Sequence, residues 1–474
     1  MFMKKKKLTD SHVPPKIAGP IGEKIAEKNS LLHGPILKVL MFLSLPIIFA
    51  MLLQMIYSLT DMFWVGRLGA NAVASISLSW PVLFLITSFG SGLAMAGTIL
   101  VSQHKGREDK EKVNFVSSQT ISIMFFISII LGIVGYFSSN FLITLMGATQ
   151  EVNFDAIRYL QVSFIGLVFS YVYFSFQSLM RGVGEVKIPL YIVIGSVILN
   201  LILDPIFILG WKIIPGFGVA GAAWTTIISQ AISCLIGIYI LLRGNHVIKM
   251  HVKDIFPKWN IFKKMFLLGL PSAIGQSMRS INMLVLTVLV AGFGTISIAA
   301  YGLGVRVLSL VIVPAVGFSM AISTMVGQNI GAGKLNRVEK ISNSGMIISF
   351  LSLTLLGAVF FIFAKDIITL FVPGQIELIS ESAYYVRAMA LSFGFIGFQM
   401  AINGMLMGSG HTRKAMELSI ISLIFLFGFA FGLSKFTTWG INGIWWSYPI
   451  SNVLTALVSW LYIRDGKWKN KKII

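Results

Sequence analysis

The stretch LPIIFAMLLQMIYSLTDMFWVGRLG, Leu45–Gly69, decides the architecture of this chain. It lies in an apolar run that begins at residue 36. The run is too long for a signal-peptide core and no small-residue cleavage site follows it, so it reads as a first membrane span. Inside it stands one acid, Asp61. A charge at bilayer depth costs about 2.5–3.5 kcal/mol, so an acid kept there points to an ion or proton site. At an offset of 225 residues the chain repeats the stretch as LPSAIGQSMRSINMLVLTVLVAGFG, Leu270–Gly294. The repeat keeps the Leu-Pro opening and the closing glycine. It carries Leu286 in place of Asp61 and Arg279 in place of Gln54.

The rest of the chain extends this pattern. Of 474 residues, 56% are hydrophobic and 12% are charged, a balance that no soluble surface carries. Twelve apolar runs are long enough to span a bilayer: 36–64, 72–101, 114–138, 156–180, 187–210, 219–242, 261–291, 296–327, 341–364, 383–408, 414–434 and 440–463. The repeat continues through Gly92, Ala96, Val101, Gln103 and Gly106, matched by Gly317, Ala321, Val326, Gln328 and Gly331. Further on, Tyr159 matches Tyr385, Gly182 and Gly184 match Gly408 and Gly410, and Gly218 and Gly221 match Gly440 and Gly443. A period of six spans gives both halves the same orientation, related by an axis along the membrane normal. The expected fold is an all-α polytopic membrane protein of twelve transmembrane helices in two pseudo-symmetric six-helix lobes. Residues 36–242 form the N-terminal lobe and 261–463 the C-terminal lobe. Residues 1–35, 243–260 and 464–474 are a basic N-terminal segment, an inter-lobe linker and a basic tail.

The net charge of +20 is a topology signal. With the N-terminus inside, the inner segments hold thirty Lys and Arg and the outer segments six. This excess puts both termini in the cytoplasm and a multi-pass protein in the plasma (inner) membrane. It also argues against nucleic-acid binding. The single cysteine, Cys234, sits in an apolar run and reads as packing. No HExxH, GxSxG or Walker A stretch occurs and no histidines are paired at metal-ligand spacing, so the residues give no sign of an enzyme or of a directly ATP-driven pump.

Asp61 and Asp204 are nearly the only acids deep within spans. Gln54, Tyr57 and Asp61 fall on one face of the first span, and Asn200 and Asp204 on one face of the fifth. Both aspartates lie near the outer ends of spans that run in the same direction, so the two faces can meet at one depth. Pro205 has no N–H for the carbonyl of Leu201 and leaves that oxygen free. Such an oxygen-rich pocket suits Na⁺, held by Asp61, Asp204 and Asn200. Alternatively, repulsion between two buried carboxylates makes them carry a proton. The residues leave this choice open. The plainer alternative is that each aspartate caps a helix end. Pro46 lies about four turns before Asp61, where it can kink the first helix. Arg279 and Arg306 within the second lobe need partners or water, or face the cleft and read substrate charge. Tyr159 and Gln177 are further cleft candidates.

These residues resemble the multidrug and toxic compound extrusion (MATE) family. The resemblance is carried by Leu45-Pro46 through Gln54, Tyr57, Asp61 and Val65-Gly66-Arg67-Leu68-Gly69. It continues in Gln103–Gly106 with its repeat Gly327-Gln328-Asn329, in Arg181-Gly182-Val183-Gly184, in Asn200 to Asp204-Pro205, and in Gly218–Ala223. It covers residues 35–465 and looks most like the DinF-like branch. It implies a V-shaped pair of six-helix bundles exporting drugs or metabolites that are amphipathic, often cationic, by alternating access in exchange for H⁺ or Na⁺. By position, Asp61 and Asp204 would be the coupling acids, with Asn200, Tyr57, Gln54, Tyr159 and Thr226 as neighbours. Arg279 and Ile396 stand where the NorM-like branch has acids. The expected working unit is a monomer without cofactor, in contact with lipid and small amphipathic substrates. A lipid-linked saccharide flippase of the wider superfamily is the alternative, and would want more arginines along the cleft.

Overall fold

The computed structural model describes residues 31–211, 215–244 and 246–470; the basic run at 4–7 lies outside them. The first lobe is built from α1 (Ile36–Gly66), α2 (Ala70–Gly106), α3 (Lys110–Leu145), α4 (Gln150–Gly182), α5 (Lys187–Leu209) and α6 (Val219–Arg243). The second is built from α7 (Trp259–Ala291), α8 (Thr295–Gly331), α9 (Leu335–Ile362), the short α10 (Ala364–Phe371), α11 (Ile376–Ala390), α12 (Phe393–Gly408), α13 (Thr412–Lys435) and α14 (Ile441–Ile463).

Among the described residues, ten helices are long and apolar enough to cross a membrane. Two of the twelve expected spans differ from straight apolar rods. The tenth is α11 and α12 together, bent by 48° at Leu391 and Ser392. The twelfth, α14, is less apolar because it carries Asn442, Trp445, Trp446, Tyr448 and Asn452. Trp445 and Tyr448 turn inward and are buried in the core of their lobe. The helices also outrun the apolar stretches. α2 continues to Gly106 because Ser102, Gln103 and His104 are buried against other helices. α1 is a continuous helix across Pro46.

The internal repeat is visible in the backbone. Gly69 and Gly294 cap α2 and α8 with φ of 108° and 101°, and Gly218 and Gly440 cap α6 and α14 with φ of 58° and 52°. Side chains rarely adopt these angles, which is why glycine stands at each. Packing repeats as well. α1 packs on α5, α5 on α6, and α2 on α3 and α4; α7 packs on α13, α13 on α14, and α8 on α9 and α12.

The lobes meet where α1 touches α8, α2 touches α7 and α2 touches α8. Lipid offers no hydrophobic drive between helices, so close backbone approach through small residues holds them together. A methyl on Gly92 would strike Ala273, and its repeat Gly317 lies against Ile48, the repeat of Ala273. Gly106 lies against the carbonyl of Gln328, and Gly331 against that of Gln103. Beside them, Gln103 Nε2 donates to Gly408 O at 3.2 Å and Gln328 Nε2 donates to Gly182 O at 2.9 Å. These contacts lie at the helix ends near the linker. There the chain ahead of α1 is also tied to the second lobe: Asn329 Nδ2 donates to Leu31 O at 3.2 Å and Arg337 Nη2 to Gly34 O at 2.5 Å. The linker crosses α3. Gln119 Nε2 donates to the carbonyls of Asp254 and Phe256 at 2.6 and 2.9 Å, and Gln119 Oε1 accepts from Lys258 N at 2.6 Å.

Candidate functional site

The candidate site lies where α1, α5 and α6 pack together in the first lobe. Asn200 and Asp204 are one helical turn apart on α5, both fully buried, and Asn200 Nδ2 donates to Asp204 Oδ1 at 2.9 Å. From α6, Thr225 Oγ1 donates to the same Asp204 Oδ1 at 2.6 Å. The next residue, Thr226, points toward α1, with its Oγ1 at 3.5 Å from Asp61 Oδ2. The neighbouring residues Thr225 and Thr226 thus reach Asp204 and Asp61 from one turn of α6, which places both carboxyl groups at the same three-helix junction. The structure therefore brings together Asp61, Asp204, Asn200 and Thr226.

Four oxygens in this cluster are buried without a protein partner: Tyr57 Oη, Asp61 Oδ1, Asn200 Oδ1 and Asp204 Oδ2. Buried polar atoms usually find partners. Two adjacent buried carboxylates cannot both stay charged without a compensating cation. The donor set is hard oxygen throughout, the chemistry that suits H⁺ or Na⁺. Just beyond the aspartates, Val65, Ala72, Ile76, Ile208, Val219 and Ala222 form an apolar plug at the ends of α1, α2, α5 and α6.

Asp61 opens on a cavity of about 340 Å³. Gln54, Tyr57, Tyr159, Tyr173, Thr226 and Gln230 supply its polar wall, and Trp80, Phe84 and Phe174 its aromatic one. Gln54 and Phe174 also line a second space of about 190 Å³ nearer the linker end. There they join Pro46, Gln177 and Arg181 from the first lobe with Gln276 and Met320 from the second. Ser91 Oγ donates to Gln276 Oε1 at 3.0 Å across the lobes. Gln54 thus faces both spaces, Tyr57 and Tyr159 the larger one, and Gln177 and Pro46 the smaller one.

The two arginines part company. Arg279 is exposed in a third cavity, inside the second lobe, and its Nη2 contacts Met400 Sδ at 3.1 Å. Arg306 is exposed on α8 and lines none of these three cavities. Thr225 is the site residue that the sequence choice of Thr226 passes over. Adjacent residues on a helix point about 100° apart, so Thr225 reaches α5 while Thr226 reaches α1.

The second lobe has filled the equivalent of the acid site. At the repeat positions of Asp61 and Asp204 stand Leu286 and Ala430, both buried. Tyr385, the repeat of Tyr159, stacks on Trp445 with ring centroids 4.1 Å apart, and Tyr301 lies 6.1 Å from Tyr385 on its own centroid. Trp445 Nε1 donates to Glu381 Oε1 at 2.7 Å. Aromatic packing thus lies beside the repeat positions of the aspartates, and among the described residues the carboxyl pair stands in the first lobe.

A two-lobed membrane protein with a cavity lined from both lobes has the architecture of a transporter. The MatE family model matches the chain twice, over residues 46–206 and 271–432, one match per lobe, and the chain belongs to this family. Among its relatives, the probable multidrug resistance protein YpnP of Bacillus subtilis (strain 168) is 28% identical over 444 residues, covering 93% of this chain and 98% of that protein. The multidrug export protein MepA of Staphylococcus aureus (strain NCTC 8325 / PS 47) is 26% identical over 431 residues, covering 91% and 94%. A solved multidrug resistance MATE family transporter of the MOP superfamily, in an outward-facing conformation, superposes with a TM-score of 0.87 at 26% identity, covering 93% and 98%.

Proposed function

We propose that this protein is a secondary antiporter that exports amphipathic organic compounds across the plasma membrane in exchange for H⁺ or Na⁺, with Asp61 and Asp204 as its coupling acids. The observation that carries this reading is the pairing of half-buried Asp61 with fully buried Asp204, with four unpartnered buried oxygens in the cluster, beside a cavity that shares Gln54 and Phe174 with the space at the lobe interface. The relatives named for multidrug resistance and export support the amphipathic substrate class.

The linker end, where the described chain begins and ends, faces the cytoplasm in this reading. Contacts at Gln103 and Gln328 close that end, as an outward-open state requires. The cation enters from outside and binds between Asp61 and Asp204. Neutralising the pair lets α1 pack more deeply against α5 and α6, bending at Pro46, where the missing N–H frees the carbonyl of Phe42. The cavity shrinks and substrate leaves outward. Opening of the linker end then releases the cation inside and admits the next substrate. Both lobes and the three cavities described lie within one chain, which supports a monomeric working unit. The acids confined to the first lobe support its kinship with the DinF-like branch.

The test is efflux from cells stripped of their own exporters and preloaded with ethidium. Cells making the protein should lose dye faster than cells with an empty vector, and a protonophore or sodium removal should abolish the difference. Equal dye loss, with the protein present in the membrane, would refute the reading.

A further inference from the structure

The third cavity, about 70 Å³, lies inside the second lobe between α7, α12, α13 and α14. It is the repeat of the space around Gln54, Tyr57 and Gln177 in the first lobe. At those three positions it carries Arg279, Asn282 and Asn403. The residue at this position of the repeat is therefore neutral in the first lobe, Gln54, and cationic in the second, Arg279.

Nothing in the protein answers that charge. Among the described residues, no carboxylate lies within ion-pair distance of Arg279, and its one polar contact is the thioether of Met400. A thioether is a weak acceptor for a group with five N–H donors. On the opposite wall Thr455 is 2% exposed, and its Oγ1 has no hydrogen-bond partner. Asn282 and Asn403 bring amide donors to the same space. A planar guanidinium flanked by amides and a hydroxyl is built for an oxyanion, which it can bind through paired hydrogen bonds. The space admits a head group and no tail.

We propose that this cavity is an anion-binding subsite for the carboxylate or phosphate head of an amphipathic compound. The inference rests on the exporter reading for the origin of that amphipath and sharpens it, since the family resemblance implies compounds that are often cationic. Acids in one lobe take the coupling cation, and the arginine in the other takes the substrate's charge.

Equilibrium binding tests this without any ion gradient, so its outcome is separate from the coupling role of Asp61 and Asp204. Purified protein in phosphatidylcholine nanodiscs is titrated with dodecyl phosphate and with dodecyltrimethylammonium, followed by tryptophan fluorescence. Dodecyl phosphate should bind at least about tenfold more tightly. Arg279→Gln should remove that preference while leaving dodecyltrimethylammonium binding and the elution profile unchanged, and Arg279→Lys should restore part of it. Competition with inorganic phosphate separates head-only recognition, where it displaces the probe, from tail-assisted recognition, where it does not; both support an anion subsite. Equal affinity for the two amphipaths, or undiminished dodecyl phosphate binding by Arg279→Gln, would overturn it.

Discussion

Gln103 and Gln328 make the same hydrogen bond in opposite directions across the lobe interface. Each is buried, and each donates to the carbonyl of a glycine in the other lobe, Gly408 and Gly182. The donors are repeats of each other and so are the acceptors. The linker end is thus closed by a two-fold latch.

Removing the latch should favour the inward-open state. Gln103→Ala with Gln328→Ala leaves two buried carbonyls unpartnered while the lobes stay shut. Each costs about 1–3 kcal/mol, so the double variant should shift roughly 30-fold or more toward the open form. Spin labels at the exposed positions Lys110 and Asn336, on opposite lobes, should report longer distances in the double variant. An unchanged distance distribution would show that the latch does not set this equilibrium.

Thr225 should matter more than Thr226. Its hydroxyl makes the 2.6 Å bond to Asp204, whereas Thr226 sits at 3.5 Å from Asp61. Hydrogen bonds to charged groups contribute about 1.5–3 kcal/mol. Thr225→Val should lower gradient-driven efflux by roughly tenfold or more and Thr225→Ser should retain it, with a smaller loss for Thr226→Val. Initial efflux rates per reconstituted protein measure the order, and the reverse order would contradict the geometry.

The second lobe should reject an acid where the first lobe keeps one. Ala430 is fully buried in a lobe core where Tyr385 and Trp445 stack. Ala430→Asp puts an uncompensated charge there, at a cost of about 3–5 kcal/mol. Thermal unfolding in detergent should fall sharply for Ala430→Asp and little for Asp204→Asn. Similar stability of the two variants would mean that the second lobe holds a hidden polar site.

Much of this was legible in the sequence because the bilayer imposes a simple length rule. The run 187–210 is α5 almost to the residue, and the repeat anticipates both the matched helix pairs and the symmetric glycines. Face geometry brought Asp61 and Asp204 together in advance. Other features depend on contacts that a linear reading does not contain. Apolarity marks lipid rather than helix, so the buried polar end of α2 was cut short at 101. The bend at Leu391 and Ser392 has no proline to announce it. Choosing between Thr225 and Thr226 needs the rotation of α6. The latch glutamines stood in the repeat, but their acceptors lie on helices far along the chain.

The central claim is that Asp61 and Asp204 couple a cation to export. The most direct measurement is substrate efflux from proteoliposomes under an imposed H⁺ gradient and then an imposed Na⁺ gradient, for the wild-type chain, Asp61→Asn and Asp204→Asn. The account predicts that one gradient drives efflux by the wild-type protein and that neither drives it in either variant, although both variants insert and fold. Gradient-driven efflux at the wild-type rate in either variant would contradict it.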